Sequence, residues 1–172
     1  MTGPRPSHFH IREAQTEELD EVSRVIGSSF EEYAASVPAS AFEAYLKDIM
    51  DVRSRLSFTE LLVAEDQGQV VGSVTFYPDG SRYGEDVWPD GWAGLRLIAV
   101  QPESRGLGIG RALAQECIRR SRQRGIPTLG LHSTEAMWVA RGMYERMGFI
   151  RAPEFDFHPT SRTTVVAYRL DL

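Results

Sequence analysis

"LRLIAVQPESRGLGIGRALAQECIRR", Leu95 to Arg120, is an apolar run, a glycine-rich bend and a helix-like run in direct succession. Gly106, Gly108 and Gly110 stand at every second position of the bend. A helix N-terminus carries free backbone N–H groups and a partial positive charge. Glycines before it let the chain turn sharply and let a ligand touch the main chain. Together these features predict an anion site, with Arg105 and Arg111 adding donors at either end. Neither standard nucleotide loop fits. A Walker loop needs Gly-Lys-Ser/Thr, and no lysine follows. A G-x-G-x-x-G pattern meets Arg111 when counted from Gly106 and Leu113 when counted from Gly108.

Outward from this stretch, periodicity and turn chemistry predict an alternating series. "HFHIREA" reads as a short strand with Phe9 and Ile11 on one face. Thr16 suits the N-cap of a helix that places Leu19, Val22, Val25 and Ile26 on one stripe. A second helix is expected from Pro38 to Leu56. "LLVAEDQGQVVGSVTFY" reads as a hairpin turning at Asp66 to Gln69. The Gly/Pro/Asp-rich loop Tyr77 to Gly91 leads into the strand "WAGLRLIAV". The helix after the glycines should stop at Gly125, with Pro127 preventing resumption. "TLGLHS" is the next strand, and Thr134 suits the cap of a last helix ending at Gly148. "FIRAPEFDF" and "TTVVAYRLDL" read as a final strand pair. The order β-α-α-β-β-β-α-β-α-β-β predicts an α/β (α+β) fold with a mixed sheet, helices on its faces and a parallel β-α-β crossover at the centre.

The chain has 172 residues, 42% hydrophobic and 25% charged, which suits one soluble domain. Residues 1–7 read as a flexible tail and 8–172 as the domain. A chain this long buries roughly 70% of its unfolded surface and needs neither disulfide nor metal to fold. Cys117 is the single cysteine, so no internal disulfide can form, and a reducing cytoplasm is expected. It shares a stripe with Ile109 and Leu113 and reads as a small buried hydrophobe. The net charge of -5 argues against a nucleic-acid binder. No apolar run is long enough to span a bilayer. His8, His10, His132 and His158 have no metal-ligand spacing with Cys117, so no metal is expected. "IRRSRQR" reads as a solvated helix face.

The glycine stretch resembles the signature of the GNAT superfamily of N-acetyltransferases, Arg/Gln-x-x-Gly-x-Gly/Ala after a strand, here Arg105, Gly108 and Gly110. "LRLIAVQPESRG" is similar to that family's approach to the loop, and "ARGMYERMGF", Ala140 to Phe149, to its "A-x-x-x-Y-x-x-x-G-F" segment. The resemblance implies a mostly antiparallel mixed sheet with two central parallel strands that diverge, and acetyl-CoA as co-substrate. The pyrophosphate would rest on Arg105, Gly106, Leu107, Gly108, Ile109, Gly110 and Arg111. The pantetheine arm would bond the strand backbone at Ile98, Ala99 and Val100, a strand-addition mode.

Acetyl transfer from a thioester to an amine requires a neutral amine, a stabilised oxyanion and a protonated leaving thiolate. The resemblance assigns Tyr144 as general acid and the Val100 N–H as oxyanion donor. By helical spacing alone Tyr144 is a core residue. Family members often carry a Glu on the strand entering the loop. "WAGLRLIAV" has no carboxylate, and Gly94 stands near that place. His132, which ends the next strand, is a candidate base, with Glu60, Glu85, Asp86 and Glu135 as weaker ones and a water chain as another route. Met137 stands where the family often has Asn. The acceptor side is expected to form from the first two helices, the Tyr77 to Gly91 loop and the last hairpin. Available aromatics there are Phe30, Tyr33, Tyr45, Tyr83, Trp88, Trp92, Phe155 and Phe157. The acids Glu31, Glu32, Asp79, Glu85 and Asp86 suit a cationic amine or a solvated face. The expected partner is a small-molecule amine, with neither nucleic acid nor membrane; the resemblance also admits a homodimer. The function expected is N-acetyl transfer to a primary amine of a small or amino-acid-like molecule. The alternative is a non-catalytic acyl-CoA-binding or sensing module on the same fold.

Overall fold

The computed structural model describes residues 8–83 and 88–172. The tail 1–7 and the acids Glu85 and Asp86 lie outside the described residues. The elements are β1 (His10–Glu13), α1 (Leu19–Phe30), α2 (Ala39–Met50), β2 (Glu60–Asp66), β3 (Gln69–Tyr77), β4 (Ala93–Val100), α3 (Ile109–Gln123), β5 (Thr128–Thr134), α4 (Trp138–Arg146), β6 (Ile150–Arg151), β7 (Phe157–Thr160) and β8 (Thr163–Asp171). Hydrogen bonding orders the strands β1-β2-β3-β4-β5-β8-β6, with β7 also on β8. β4 and β5 are parallel, as expected of the crossover through α3, whereas β1 on β2 and β5, β6 and β7 on β8 are antiparallel. The mixed α/β class read from the sequence is the class found.

The described residues divide into two compact units. The first draws on residues 8–56, 61–74 and 97–114. In it α1 buries Leu19, Val22, Val25 and Ile26, the stripe its spacing predicts, and Phe30 as well. Each fully buried aliphatic chain of this kind contributes about 1.5–3 kcal/mol. α1 packs on α2, where the sulfur of Met50 reaches to 2.9 Å from where a Cβ of Gly27 would stand. α2 is shorter than its periodicity suggests. It ends at Met50 because Arg55 folds back and donates to the carbonyls of Asp48 and Ile49, both at 2.8 Å, closing the helix end. The β2–β3 turn has Gln67 at φ 52 and Gly68 at φ 80, the positive pair a two-residue hairpin requires.

The second unit draws on residues 57–60, 75–83, 88–96 and 115–172. β5 is its centre, paired along its whole length with β8 from Thr128↔Asp171 to Thr134↔Val165. The parallel register of β4 on β5 is Ala93↔Leu129 and Gly94↔Gly130. The last strand pair divides into three. Pro153 and its 3-10 turn to Phe155 separate β6 from β7, because proline has no N–H for the ladder. Neither expected threonine cap forms. Thr16 lies in a 3-10 turn before α1, and Thr134 closes β5, its carbonyl taking the Met137 N–H at 3.1 Å.

The paired glycines Gly94 and Gly130 have a clear packing role. A Cβ on Gly130 would stand 2.6–2.8 Å from three ring carbons of Trp88, and one on Gly94 would stand 2.6 Å from Tyr83. Trp88 is 3% exposed and has no room to retreat. Gly130→Ala is therefore expected to cost about 1–3 kcal/mol by overpacking. Thermal unfolding and the near-ultraviolet dichroism of the tryptophans should both record it. Gly142→Ala on α4, whose Cβ meets only the tip of Arg146 at 3.1 Å, should not lose stability.

Candidate functional site

In the first unit, β4 delivers the chain to the glycine bend. The Gln101 N–H donates to the Val71 carbonyl of β3 at 2.9 Å, and a 3-10 turn over Pro102–Ser104 follows. Gly106 and Gly108 both lie in the left-handed region, at φ 80 and 82, and no atom of the described residues stands within 4 Å of where their Cβ atoms would be. The first helical bond of α3 runs from the Ala112 N–H to the Gly108 carbonyl at 3.0 Å. The N–H groups of Ile109, Gly110 and Arg111 therefore head the helix without a partner inside it. Ile109 is 2% exposed and anchors the bend, whereas Gly106, Leu107, Gly108 and Arg111 are exposed. This is an open main-chain cradle at the positive end of a 15-residue helix, suited to a phosphate.

Gly72 and Ser29, which the sequence reading does not single out, hold the cradle together with Glu32, expected to suit a cationic amine or a solvated face and found on Arg105 instead. A Cβ on Gly72 would stand 2.9 Å from both the Ala99 carbonyl oxygen and Ile109 Cγ2, so a bare glycine on β3 lets α3 seat against the strand. Glu32 pairs with Arg105 at 2.9 Å, and Arg105 also donates to the Ser29 carbonyl at 3.2 Å. The Arg105 guanidinium thus binds the last turn of α1 and the segment after it. The Ser29 hydroxyl shares its proton between the Val25 carbonyl at 2.6 Å and the Val100 carbonyl at 3.0 Å. Gln101 turns its N–H to β3, so strand alternation directs the Val100 N–H to the opposite edge. Leu97, at φ 60, interrupts the regular strand three residues earlier.

In the second unit, Tyr144 lies on α4 at 6% exposure, its ring edge-on to Phe149 at 5.8 Å. Met137 precedes α4 and accepts the Arg141 N–H at 3.0 Å through its carbonyl. His132 sits among rings, stacked on Trp88 at 4.6 Å. Its Nε2 lies 3.0 Å from the Phe155 carbonyl. A carbonyl only accepts, so Nε2 carries the proton. Burial pushes the His132 pKa below the ordinary histidine value, against opposing effects of the Phe155 carbonyl and Asp156. The ring is neutral at pH 7, and Nδ1 holds a buried lone pair with no partner among the described residues.

Other expected residues are engaged elsewhere. Glu60 binds Arg120 at 2.5 Å and also Arg124, and Glu116 binds Arg119 and Arg120, so three members of the basic run serve an ion-pair cluster. In the same cluster Arg119, then Arg120, hold the Glu116 carboxyl down at about 2. Cys117 is fully buried, and burial raises its thiol pKa far above the ordinary value. Among the described residues no group of three His, Cys, Asp or Glu could hold a metal ion. No described helix is long and apolar enough to cross a membrane.

A family model described as the acetyltransferase (GNAT) family matches residues 20–149. The chain belongs to the GNAT acetyltransferase family. It is 38% identical over 97 residues to a mycothiol acetyltransferase of Cellulomonas flavigena, an alignment covering 52% of this chain and 26% of that protein. It is 31% identical over 134 residues to a Xenopus tropicalis protein named "Probable N-acetyltransferase camello", covering 73% of this chain and 58% of the relative. The chain thus spans about a quarter and somewhat over half of these relatives' lengths. A GNAT family acetyltransferase from Brucella melitensis, solved with acetyl-CoA, superimposes with a TM-score of 0.62 at 26% identity, over 96% of this chain and 92% of that one.

Proposed function

We propose that the protein transfers the acetyl group of acetyl-CoA to the primary amine of a small or amino-acid-like molecule. The observation that carries this reading is the pair of left-handed glycines, open on their Cβ side, at the head of α3. These residues fit a pyrophosphate: N–H groups from Gly106 to Arg111 would take its oxygens, with the exposed Arg111 beside them. Ile98 to Val100 would hold the pantetheine arm by main-chain bonds. The cytoplasm is the compartment proposed, in keeping with a single buried thiol.

In the proposed step the neutral amine attacks the thioester carbonyl carbon, and the Val100 N–H stabilises the oxygen as it becomes negative. The C–S bond then breaks. Tyr144 gives its phenolic proton to the leaving thiolate, and the new ammonium loses a proton to water, from which Tyr144 recovers its own. The sum is amine plus acetyl-CoA giving amide plus free thiol. The buried His132 Nδ1 favours water over His132 as the proton acceptor.

Release of free thiol from acetyl-CoA over a panel of amines tests the reading. Amine-dependent release is expected. Tight acetyl-CoA binding without release for any amine would overturn it and support an acyl-CoA-binding module, the reading that the absence of a carboxylate on β4 favours.

A further inference from the structure

Six rings of the second unit converge on one face of β5. Gly130 and His132 are two apart on the strand and share that face. Trp88 stacks on His132 at 4.6 Å and on Trp92 at 5.7 Å. Phe155 tilts against both tryptophans at 5.2 and 5.4 Å, and Tyr83 meets Trp88 at 5.8 Å. Phe157 stands edge-on to His132 at 5.2 Å and is 44% exposed. The floor is the register pair Gly94↔Gly130, two adjacent strands bare of side chains, over which the rings of Trp88 and Tyr83 already lie, so the open edge of the cluster is at His132 and Phe157.

Among the described residues, two polar atoms of this stack have no hydrogen-bond partner, Trp88 Nε1 and His132 Nδ1. Trp88 is 3% exposed, so its N–H is a buried, unmet donor. The Phe155 carbonyl fixes the proton on His132 Nε2, so Nδ1 is a buried, unmet acceptor. A group that both donates and accepts at the edge of a ring answers both. The charges around the cluster point the same way. Asp156 accepts from Arg151 through both oxygens, at 2.9 and 2.7 Å, and from the Ala167 N–H at 2.7 Å. Its carboxylate is committed and offers a polycation little.

We propose that this ring cluster is the acceptor-recognition surface. Its ligand is an amine carrying a flat aromatic ring with an N–H or O–H on it, an arylalkylamine or an aromatic amino acid. The ligand ring displaces Phe157 from the edge of His132, and its polar group meets Nδ1 and Nε1–H. The inference rests on the acetyl-transfer reading for its consequence in turnover, but binding to the cluster can be measured without it.

The full chain is assayed for thiol release with tyramine, 2-phenylethylamine, spermidine and alaninamide. Tryptophan quenching by tyramine, excited at 295 nm to spare the phenol, is measured without acetyl-CoA. Tyramine should exceed spermidine and alaninamide in kcat/KM by roughly tenfold or more, and should exceed 2-phenylethylamine. Phe157→Ala, on an exposed short strand, should lower the tyramine KM roughly two- to tenfold, the worth of one aromatic pair, with the KM for acetyl-CoA unchanged. His132→Phe keeps the stack and should erase the preference for tyramine over 2-phenylethylamine. Equal turnover of spermidine or alaninamide, an unchanged or raised tyramine KM in Phe157→Ala, or a preference surviving His132→Phe would each overturn the proposal. If no amine is turned over but tyramine quenches saturably, the transfer reading fails and the ring site stands. Absence of saturable quenching overturns the ring site whatever the turnover.

Discussion

Tyr144→Phe is expected to lower kcat on the order of a hundredfold while leaving the affinity for acetyl-CoA in place. General acid catalysis contributes roughly 10²- to 10⁴-fold, and a phenol, with a reference pKa of about 10, holds its proton at neutral pH. The substitution separates the two readings of this residue. The ring is 6% exposed and packs edge-on to Phe149 at 5.8 Å, and phenylalanine keeps both volume and packing. A purely structural tyrosine would therefore lose about 1 kcal/mol for its hydroxyl interaction and almost nothing in turnover. A proton donor would lose turnover with little change in unfolding temperature. The variant should also lose any decline of kcat at high pH that comes from ionisation of the phenol. Steady-state rates over a pH series, together with thermal unfolding, decide between the two, and an unchanged kcat removes the acid role. Tyr144→Ala would be a poor substitute, because the cavity alone would cost about 3–5 kcal/mol.

The difference between what could and could not be read beforehand follows the range of the interactions. The glycine bend was legible because its causes are local: two residues that need positive φ, a helix that starts at Ile109, and a strand closed by Gln101 and Pro102. The parallel pairing of β4 with β5 followed from chain order alone. The caps were misread because Thr16 and Thr134 have the right chemistry one turn too early. A 3-10 turn occupies residues 16–18, and β5 runs on through Thr134. The surroundings of His132 were not legible. The ring's environment comes from Trp88, 44 positions earlier, and from Phe155, 23 positions later, and neither spacing leaves a periodic trace. Arg105 makes the same point. Its place in the bend is local, but its partners Glu32 and Ser29 lie more than 70 residues away, and one is a main-chain carbonyl that no side-chain pattern encodes. Tyr144 was legible as a core residue from its helical spacing, and its assigned chemistry came from the resemblance of "ARGMYERMGF".

Gly108→Asn and Gly108→Val, taken together, should both abolish measurable acetyl-CoA binding, and should differ in stability. Gly108 sits at φ 82, where a β-branched residue is strained by roughly 1–3 kcal/mol and asparagine by much less. No atom of the described residues lies within 4 Å of the Cβ position, so neither side chain collides with them. The new atoms enter the open side of the bend, where a phosphate must approach the main chain. If occlusion governs, both variants lose binding by at least about a hundredfold, because several charge-assisted hydrogen bonds of roughly 1.5–3 kcal/mol each are removed at once. If backbone strain governs instead, asparagine restores the left-handed conformation and binding returns with it. Calorimetric titration with acetyl-CoA reads the affinity, and thermal unfolding without ligand reads the strain. The valine variant should unfold several degrees below the asparagine variant. Wild-type protein with ligand at about 100 times its dissociation constant should gain roughly 2.7 kcal/mol, and neither variant should gain it. Retained tight binding in both would remove the pyrophosphate from this bend and with it the observation that carries the proposed function.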